Sequence, residues 1–188
     1  MGSRLFIESI ASEEYLREGA VSEDIAYVER FSNCNRRREV LAWRAIVRRE
    51  LGKQIAITYD EYGAPQVDVL DAHISISHSK ERVAVLISDR VCAVDIEDAL
   101  RDFRKVATKY LSDNEQAIAE KYGLYAEMWS AKEALYKYYR KGGLDLVKDI
   151  VIREYNPSKQ QFAASICEGG AIAVNVLREN NYVMATID

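Results

Sequence analysis

The run Trp129-Ser130-Ala131-Lys132-Glu133-Ala134-Leu135-Tyr136-Lys137 spaces an indole, a carboxylate and an ammonium four residues apart. In a helix, at about 100° per residue, Trp129, Glu133 and Lys137 fall on one stripe. Met128, Ala131, Leu135 and Tyr138 form an apolar stripe on the far side. Such a helix packs one face on a core and offers an acid and a cation from the other. An ordinary solvated Glu–Lys pair, worth about 0.2–0.5 kcal/mol, has the same pattern. A second chemical stretch is Val91-Cys92-Ala93-Val94-Asp95-Ile96-Glu97. Strand alternation puts Asp95 and Glu97 on one face and Cys92, Val94 and Ile96 on the other. Adjacent carboxylates repel, so they call for either water or a divalent cation. Magnesium takes a few carboxylate oxygens and keeps positions open for phosphate. The third stretch is His73-Ile74-Ser75-Ile76-Ser77-His78-Ser79. Its histidines face opposite ways in a strand, which argues against a two-histidine metal site. Ser77 and His78 lie where the strand enters a turn, a place suited to a ligand phosphate, or to turn chemistry in which Ser77 or Ser79 bonds its own backbone. There is no nucleophile elbow and no glycine-rich phosphate loop.

These residues need elements to hold them. Residues 4–10 and 54–59 alternate like strands, and residues 13–18, 22–31 and 35–51 carry helical patterns, the last ended by Gly52. EYGAP is a turn, and HISIS, RVAVLIS and VCAVDIE are short strands separated by HSKE and SDR. Helices are expected over 101–109, 113–122 and 125–140, with Gly142-Gly143 closing the last. DIVIREY, QFAASI, AIAVNVL and NYVMATI alternate again as strands. Each half reads strand, helices, then strands. The expectation is an α+β chain of two related halves, residues 1–90 and 91–188.

Composition narrows the partners. A chain of 188 residues with net charge −4 gives no whole-molecule reason to expect nucleic acid or an anionic membrane. No apolar run approaches a membrane span, and MGSRLFIESI lacks a signal-peptide core. Three separated cysteines without a CxxC suggest neither disulfides nor zinc, so a reduced cytoplasm is expected.

In order, ISHS, then D-x-E, then W-S-x-K-E-A-x-x-K resembles the Sfp-type 4′-phosphopantetheinyl transferases. YLSDNE (110–115) is similar to that family's aromatic-x-Ser-x-x-Glu segment, RRREVLAWR (36–44) to its arginine-rich helix, and EYGAP to its Tyr-Gly-Lys-Pro turn. The resemblance implies two pseudo-symmetric α/β halves with coenzyme A in the cleft between them. It also implies transfer of the 4′-phosphopantetheine arm to a serine of an apo acyl or peptidyl carrier protein, releasing 3′,5′-ADP. By position, Asp95, Glu97 and Glu133 would hold Mg²⁺, and Glu133 would serve as base. Lys132 and Lys137 would lie against the phosphates, Ser77 and His78 would bind pyrophosphate and 3′-phosphate, and Arg38 and Arg44 would reach the 3′-phosphate and adenine. The first half would be the nucleotide side, and the second would carry the metal and the catalytic helix.

Departures from the family pattern are Ala64 in place of the turn's lysine and Ala93 in place of a glycine. Arg37 suits the role given to Arg38. Val40, Trp43, Val47 and Leu51 make a buried stripe, which would leave Arg37, Arg44 and Arg48 as a solvated flank. Ser112-Asp113-Asn114-Glu115 reads as a capping box before a metal-site role. Alternatives are a non-catalytic coenzyme A or carrier-binding relative and a metal-dependent phosphodiesterase. The latter would want a basic groove. With both halves in one chain, a monomer is expected.

Overall fold

Two side chains start the first helices. Ser12 Oγ accepts the amide of Tyr15, and Asn33 Oδ1 accepts that of Arg36, each satisfying a donor that the helix cannot. The computed structural model describes residues 2–188. After β1 (Arg4–Ser9) come α1 (Glu13–Gly19), α2 (Ser22–Val28) and the long α3 (Cys34–Leu51). A two-stranded ribbon follows, β2 (Ile57–Tyr59) with β3 (Pro65–Val67), and then β4 (His73–His78) and β5 (Arg82–Ser88). Strands β1, β5 and β4 form an antiparallel sheet in that order. Val40, Trp43 and Val47 of α3 pack against Ile74, Val83 and Val85 of this sheet.

The second part repeats the plan. It runs β6 (Ala93–Asp98), a 3-10 helix (Phe103–Lys109), α4 (Asp113–Tyr122), α5 (Tyr125–Tyr139), and then β7 (Ile150–Asn156), β8 (Gln161–Ile166), β9 (Ile172–Arg178) and β10 (Tyr182–Ile187). Its sheet order is β6-β10-β9-β8-β7. Met128, Ala131 and Leu135, the apolar stripe read from sequence, lie fully buried on it. A third cluster joins the two parts. Ala84 and Leu86 of β5 meet Val94 and Ile96 of β6 and Met184 of β10. The fold is α+β, as the order of elements implies. Among the described residues no helix is long and apolar enough to cross a membrane.

Several expectations need correction. The strand expected from 54 begins only at Ile57, and Pro65 opens β3 where only a turn was expected. The helix expected over 22–31 ends at Val28. The segment expected as a helix over 101–109 is the 3-10 helix. Helix α5 ends at Tyr139, and its cap is Arg140 in the left-handed region (φ 60°) rather than the Gly-Gly pair. The arginine flank of α3 is not solvated. Arg44 and Arg48 are 1% and 7% exposed. Asp24 of α2 explains this: its carboxylate accepts Arg44 Nη1 at 2.5 Å and Arg48 Nε and Nη2 at 2.6 and 2.8 Å. Two forked guanidinium groups around one carboxylate make a buried pairing that amphipathic patterning treats as surface.

Candidate active site

Strand alternation sends Val94 and Ile96 into the seam and turns Asp95 and Glu97 toward α5. Asp95, 4% exposed, ties three elements together. Its Oδ1 accepts Ser77 Oγ of β4 at 2.9 Å and Lys137 Nζ of α5 at 2.8 Å, and its Oδ2 accepts Ser130 Oγ at 2.9 Å. Lys137 Nζ also donates to Val94 O at 3.0 Å. Glu97 Oε1 accepts the Trp129 indole N–H at 2.8 Å, and Arg101 stands 3.4 Å from Oε2. Phe103 and Tyr110 pack on the Trp129 ring, with centroids at 5.5 and 5.1 Å, and fix the indole's direction. Glu133, half-buried between Trp129 and Lys137 on the stripe, makes no hydrogen bond or ion pair among the described residues. Lys137 therefore pairs with Asp95 across the strand, not with Glu133 along the helix.

The electrostatics follow from this crowding. Burial first, and then the charge of Asp95, push the Glu133 carboxyl above its usual range, with Lys137 opposing. Burial and Asp95 likewise raise Glu97, against the Trp129 N–H and Arg101. Three half-buried or buried carboxylates that repel one another suit a hard, oxygen-seeking divalent cation. Among the described residues, no three metal-capable side chains converge on one point. Asp95 spends its oxygens on Ser77, Ser130 and Lys137. The donor chemistry fits Mg²⁺, and a ligating geometry requires these acids to turn.

A cavity of about 450 Å³ opens beside them, walled by β4, the turn at 62–65 and the C-terminal end of α5. Ser77, His78 and Lys137 line it, as do Trp43, Arg36 and Arg140. No carboxylate lines it among the described residues. His78 Nε2 lies 3.0 Å from Arg36 Nη1 and 3.4 Å from Glu39. Burial lowers the His78 imidazole from its ordinary value, with Glu39 opposing.

Three residues expected at the ligand lie elsewhere. Arg38 donates to Ala11 O and Ile10 O, both at 2.9 Å, bracing the chain between β1 and α1. Arg44 is enclosed by Asp24 and the Tyr27 ring, 4.2 Å from the guanidinium carbon. Lys132 is fully buried, paired with Glu115 at 2.6 Å and donating to Leu146 O and Ile150 O. One residue from Glu133 is about 100° around a helix, enough to turn Lys132 from cleft to core. Arg37, the other arginine weighed for the phosphate, holds Glu13 and Phe31 O. Arg36 takes the cleft position instead, next to His78. Glu115 is a cap: its Oε2 accepts the Ser112 amide at 2.8 Å, and its Oε1 accepts that of Ile152 at 2.7 Å. Arg140 was also missed in the sequence, where only the Gly-Gly pair beyond it signalled a helix end.

A strand carrying paired acids, clasped by a helix that returns a lysine to one of them beside a cation-lined cavity, defines a distinct kind of protein. This chain belongs to the 4′-phosphopantetheinyl transferase superfamily, whose model matches residues 91–187. It is similar to the 4′-phosphopantetheinyl transferase gsp of Aneurinibacillus migulanus, at 33% identity over 96 residues. That match covers 48% of this chain and 40% of the relative, so the chain spans less than half of the relative's length.

Proposed function

We propose that this chain transfers the 4′-phosphopantetheine arm of coenzyme A to a serine hydroxyl of an apo acyl or peptidyl carrier protein, in a Mg²⁺-dependent reaction. The serine oxygen forms a bond to the phosphorus bearing the pantetheine. The bond from that phosphorus to the bridging oxygen breaks, and 3′,5′-ADP leaves with the electron pair. Asp95, Glu97 and Glu133 would hold the Mg²⁺, which when bound neutralises pyrophosphate charge. Glu133 accepts the serine proton. Its raised carboxyl pKa makes it a better acceptor than an ordinary surface glutamate. Lys137 stabilises charge growing on the leaving phosphate. Ser77 and His78 position the ligand's phosphates, with Arg36 taking the role first given to Arg38.

The observation that carries this reading is the junction at Asp95. Ser77 of β4 and Ser130 and Lys137 of α5 meet there, on the edge of a cavity that no carboxylate lines among the described residues. The reading places the nucleotide against residues 1–90 and the acids on residues 91–188. A monomer in a reduced cytoplasm goes with it, since the cleft is completed within one chain and the three cysteines are free. The test is incubation with coenzyme A, Mg²⁺ and a panel of apo carriers, read by intact mass. At least one carrier should gain the phosphopantetheine mass, and only with Mg²⁺. No gain on acyl, peptidyl or aminoadipate-reductase carriers would sink the proposal.

A further inference from the structure

The cavity's three cations are not equivalent. Arg36 is balanced by Glu39 at 3.3 Å, and Lys137 by Asp95 at 2.8 Å. Arg140 makes no ion pair among the described residues, and its one hydrogen bond there is a long one, from Nη2 to Ile74 O at 3.4 Å. Its side chain lines the cavity, and its other donors make no hydrogen bond among the described residues. A guanidinium carries five N–H donors in a fixed fork. In a chain of net charge −4, an unneutralised guanidinium in an acid-free cavity calls for an anion.

The backbone under Arg140 is the second observation. Its φ of 60° is a conformation disfavoured for any residue with a Cβ. The other non-glycine residues with positive φ are Asp71, Gln160 and Cys167, all exposed. Arg140, at the end of a long helix, lines the cavity. A glycine would end α5 there without strain. Gly142 and Gly143, just beyond Lys141, also have positive φ, and Gly142 lies close to the Tyr62 ring. The amide of Gly143 donates to Tyr136 Oη at 3.2 Å. Strain of this kind persists where the surroundings impose it, and it gathers at ligand sites.

The positions of the cations describe the ligand. Arg36 and His78 stand at one end of β4 and Arg140 at the other, beside Ile74. From Ile74 to His78 is four residue steps, roughly 13 Å of rise. Lys137 lies between, bonded to the same Asp95 as Ser77. A ligand that meets all of them carries negative charge at more than one place.

We propose that Arg140 is a binding residue of the cavity that takes a phosphate group of the coenzyme A nucleotide. This rests on the transferase reading of the site. It adds a contact that the sequence motifs do not contain, from a residue held in a strained cap for that purpose.

The test measures equilibrium binding by calorimetry, without transfer, of coenzyme A, dephospho-coenzyme A and 3′,5′-ADP to wild type, Arg140→Gly and Arg140→Lys, with melting temperatures alongside. Arg140→Gly should melt at the same temperature or higher, because the strain is relieved, and yet bind coenzyme A at least about tenfold more weakly. Its affinity should also depend less steeply on salt than that of wild type. Arg140→Lys should recover part of the loss. A loss confined to ligands with the 3′-phosphate assigns that phosphate, and an equal loss with dephospho-coenzyme A assigns the pyrophosphate. Unchanged affinity in Arg140→Gly overturns the inference while leaving the transferase reading intact. So does a loss with an unchanged salt slope, which would mean a loosened loop. Failure of wild type to bind any of the three ligands overturns the reading of the site and this inference with it.

Discussion

Residue for residue, the two parts of the chain use one plan for different ends. In both, an acid in the first turn of a short helix is buried against cations of the following long helix. Asp24 of α2 holds Arg44 and Arg48 of α3, and Glu115 of α4 holds Lys132 of α5. The third residue of the leading strand differs. In β1 it is Phe6, packed on the α3 core, and in β6 it is Asp95, facing α5 with three polar partners. The sheets differ as well. In the second part β9 pairs with β8, whereas in the first β4 ends the sheet and β3 stands apart in its ribbon. The cavity is lined from both sides of that break. The comparison teaches that the buried ion pairs are scaffold common to both parts. On the proposed function, activity enters where an apolar strand position becomes an acid and where a ladder of hydrogen bonds is left open.

The sharpest way to break this comparison is to exchange expectations between Phe6 and Asp95. Asp95→Asn should reduce transfer to background with little change in melting, since an amide keeps hydrogen-bonding capacity toward Ser77 and Ser130. Phe6→Ala should do the reverse, with a stability loss of roughly 2–3 kcal/mol for a half-buried phenylalanine and near-normal transfer well below the melting point. A thermal melt and an initial-rate assay on both variants decide it. If Phe6→Ala is inactive while folded, the Phe6 position is not merely scaffold.

Next in size is Glu133→Gln, which should slow transfer by roughly 10²–10⁴, the usual worth of a general base. Saturating Mg²⁺ should restore only part of the rate. Lys137→Met should lose rate at every Mg²⁺ concentration, because its charge acts on phosphate. Full recovery of Glu133→Gln by Mg²⁺ would make it a metal ligand without a role as base.

The scaffold pairs come third. Lys132→Met leaves Glu115 buried without its cation and should destabilise by about 3–5 kcal/mol. Adding Glu115→Gln should bring some of that back, because the uncompensated charge is gone. Denaturant unfolding of the two single variants and the double variant measures the coupling. Strict additivity would mean that the pair does not act as a unit.

The smallest effect is on pH dependence. Burial and Asp95 hold Glu97 and Glu133 above the ordinary value of 4.5 in the folded chain. Between 4.5 and those raised values, the folded chain keeps protons that the unfolded chain has released, so stability from these groups falls as pH rises through the window. Metal-free protein should therefore melt lower at neutral pH than these two groups alone would allow in mild acid, and Mg²⁺ at neutral pH should raise the melting temperature. Asp95→Asn should flatten the pH slope. A slope unchanged by Asp95→Asn would show that the acids are not electrically coupled.

What the sequence made legible has a clear physical boundary. Alternation in β6 and periodicity in α5 are local signals, so the shared face of Asp95 and Glu97 and the stripe of Trp129, Glu133 and Lys137 were readable, whereas the pairing of Lys137 with Asp95, 42 residues away, was not. The cap formed by Glu115 was also readable, because Ser112 lies three residues away. The partners of Lys132, Arg44 and Arg48 were not readable. Each pairs with an acid 17 to 24 residues distant, and a lone cation in a helix looks solvated until that acid is brought to it. Arg38 was misplaced because neighbouring arginines on a helix point about 100° apart, and spacing does not say which one meets the cleft. The strand at Pro65 was hidden by its own turn.

The contact between the Trp129 indole and Glu97 has an optical consequence. The chain holds two tryptophans, one in each part. Trp43 lines the cavity, while Trp129 donates to an acid of the proposed metal set. Indole emission shifts with the charge and polarity around the ring, so each tryptophan is a built-in reporter of a different event. With Trp43→Phe the remaining emission follows the acids as they turn to take a cation. With Trp129→Phe it follows the filling of the cavity. The order in which the two signals change on mixing would separate metal arrival from nucleotide arrival without any added label.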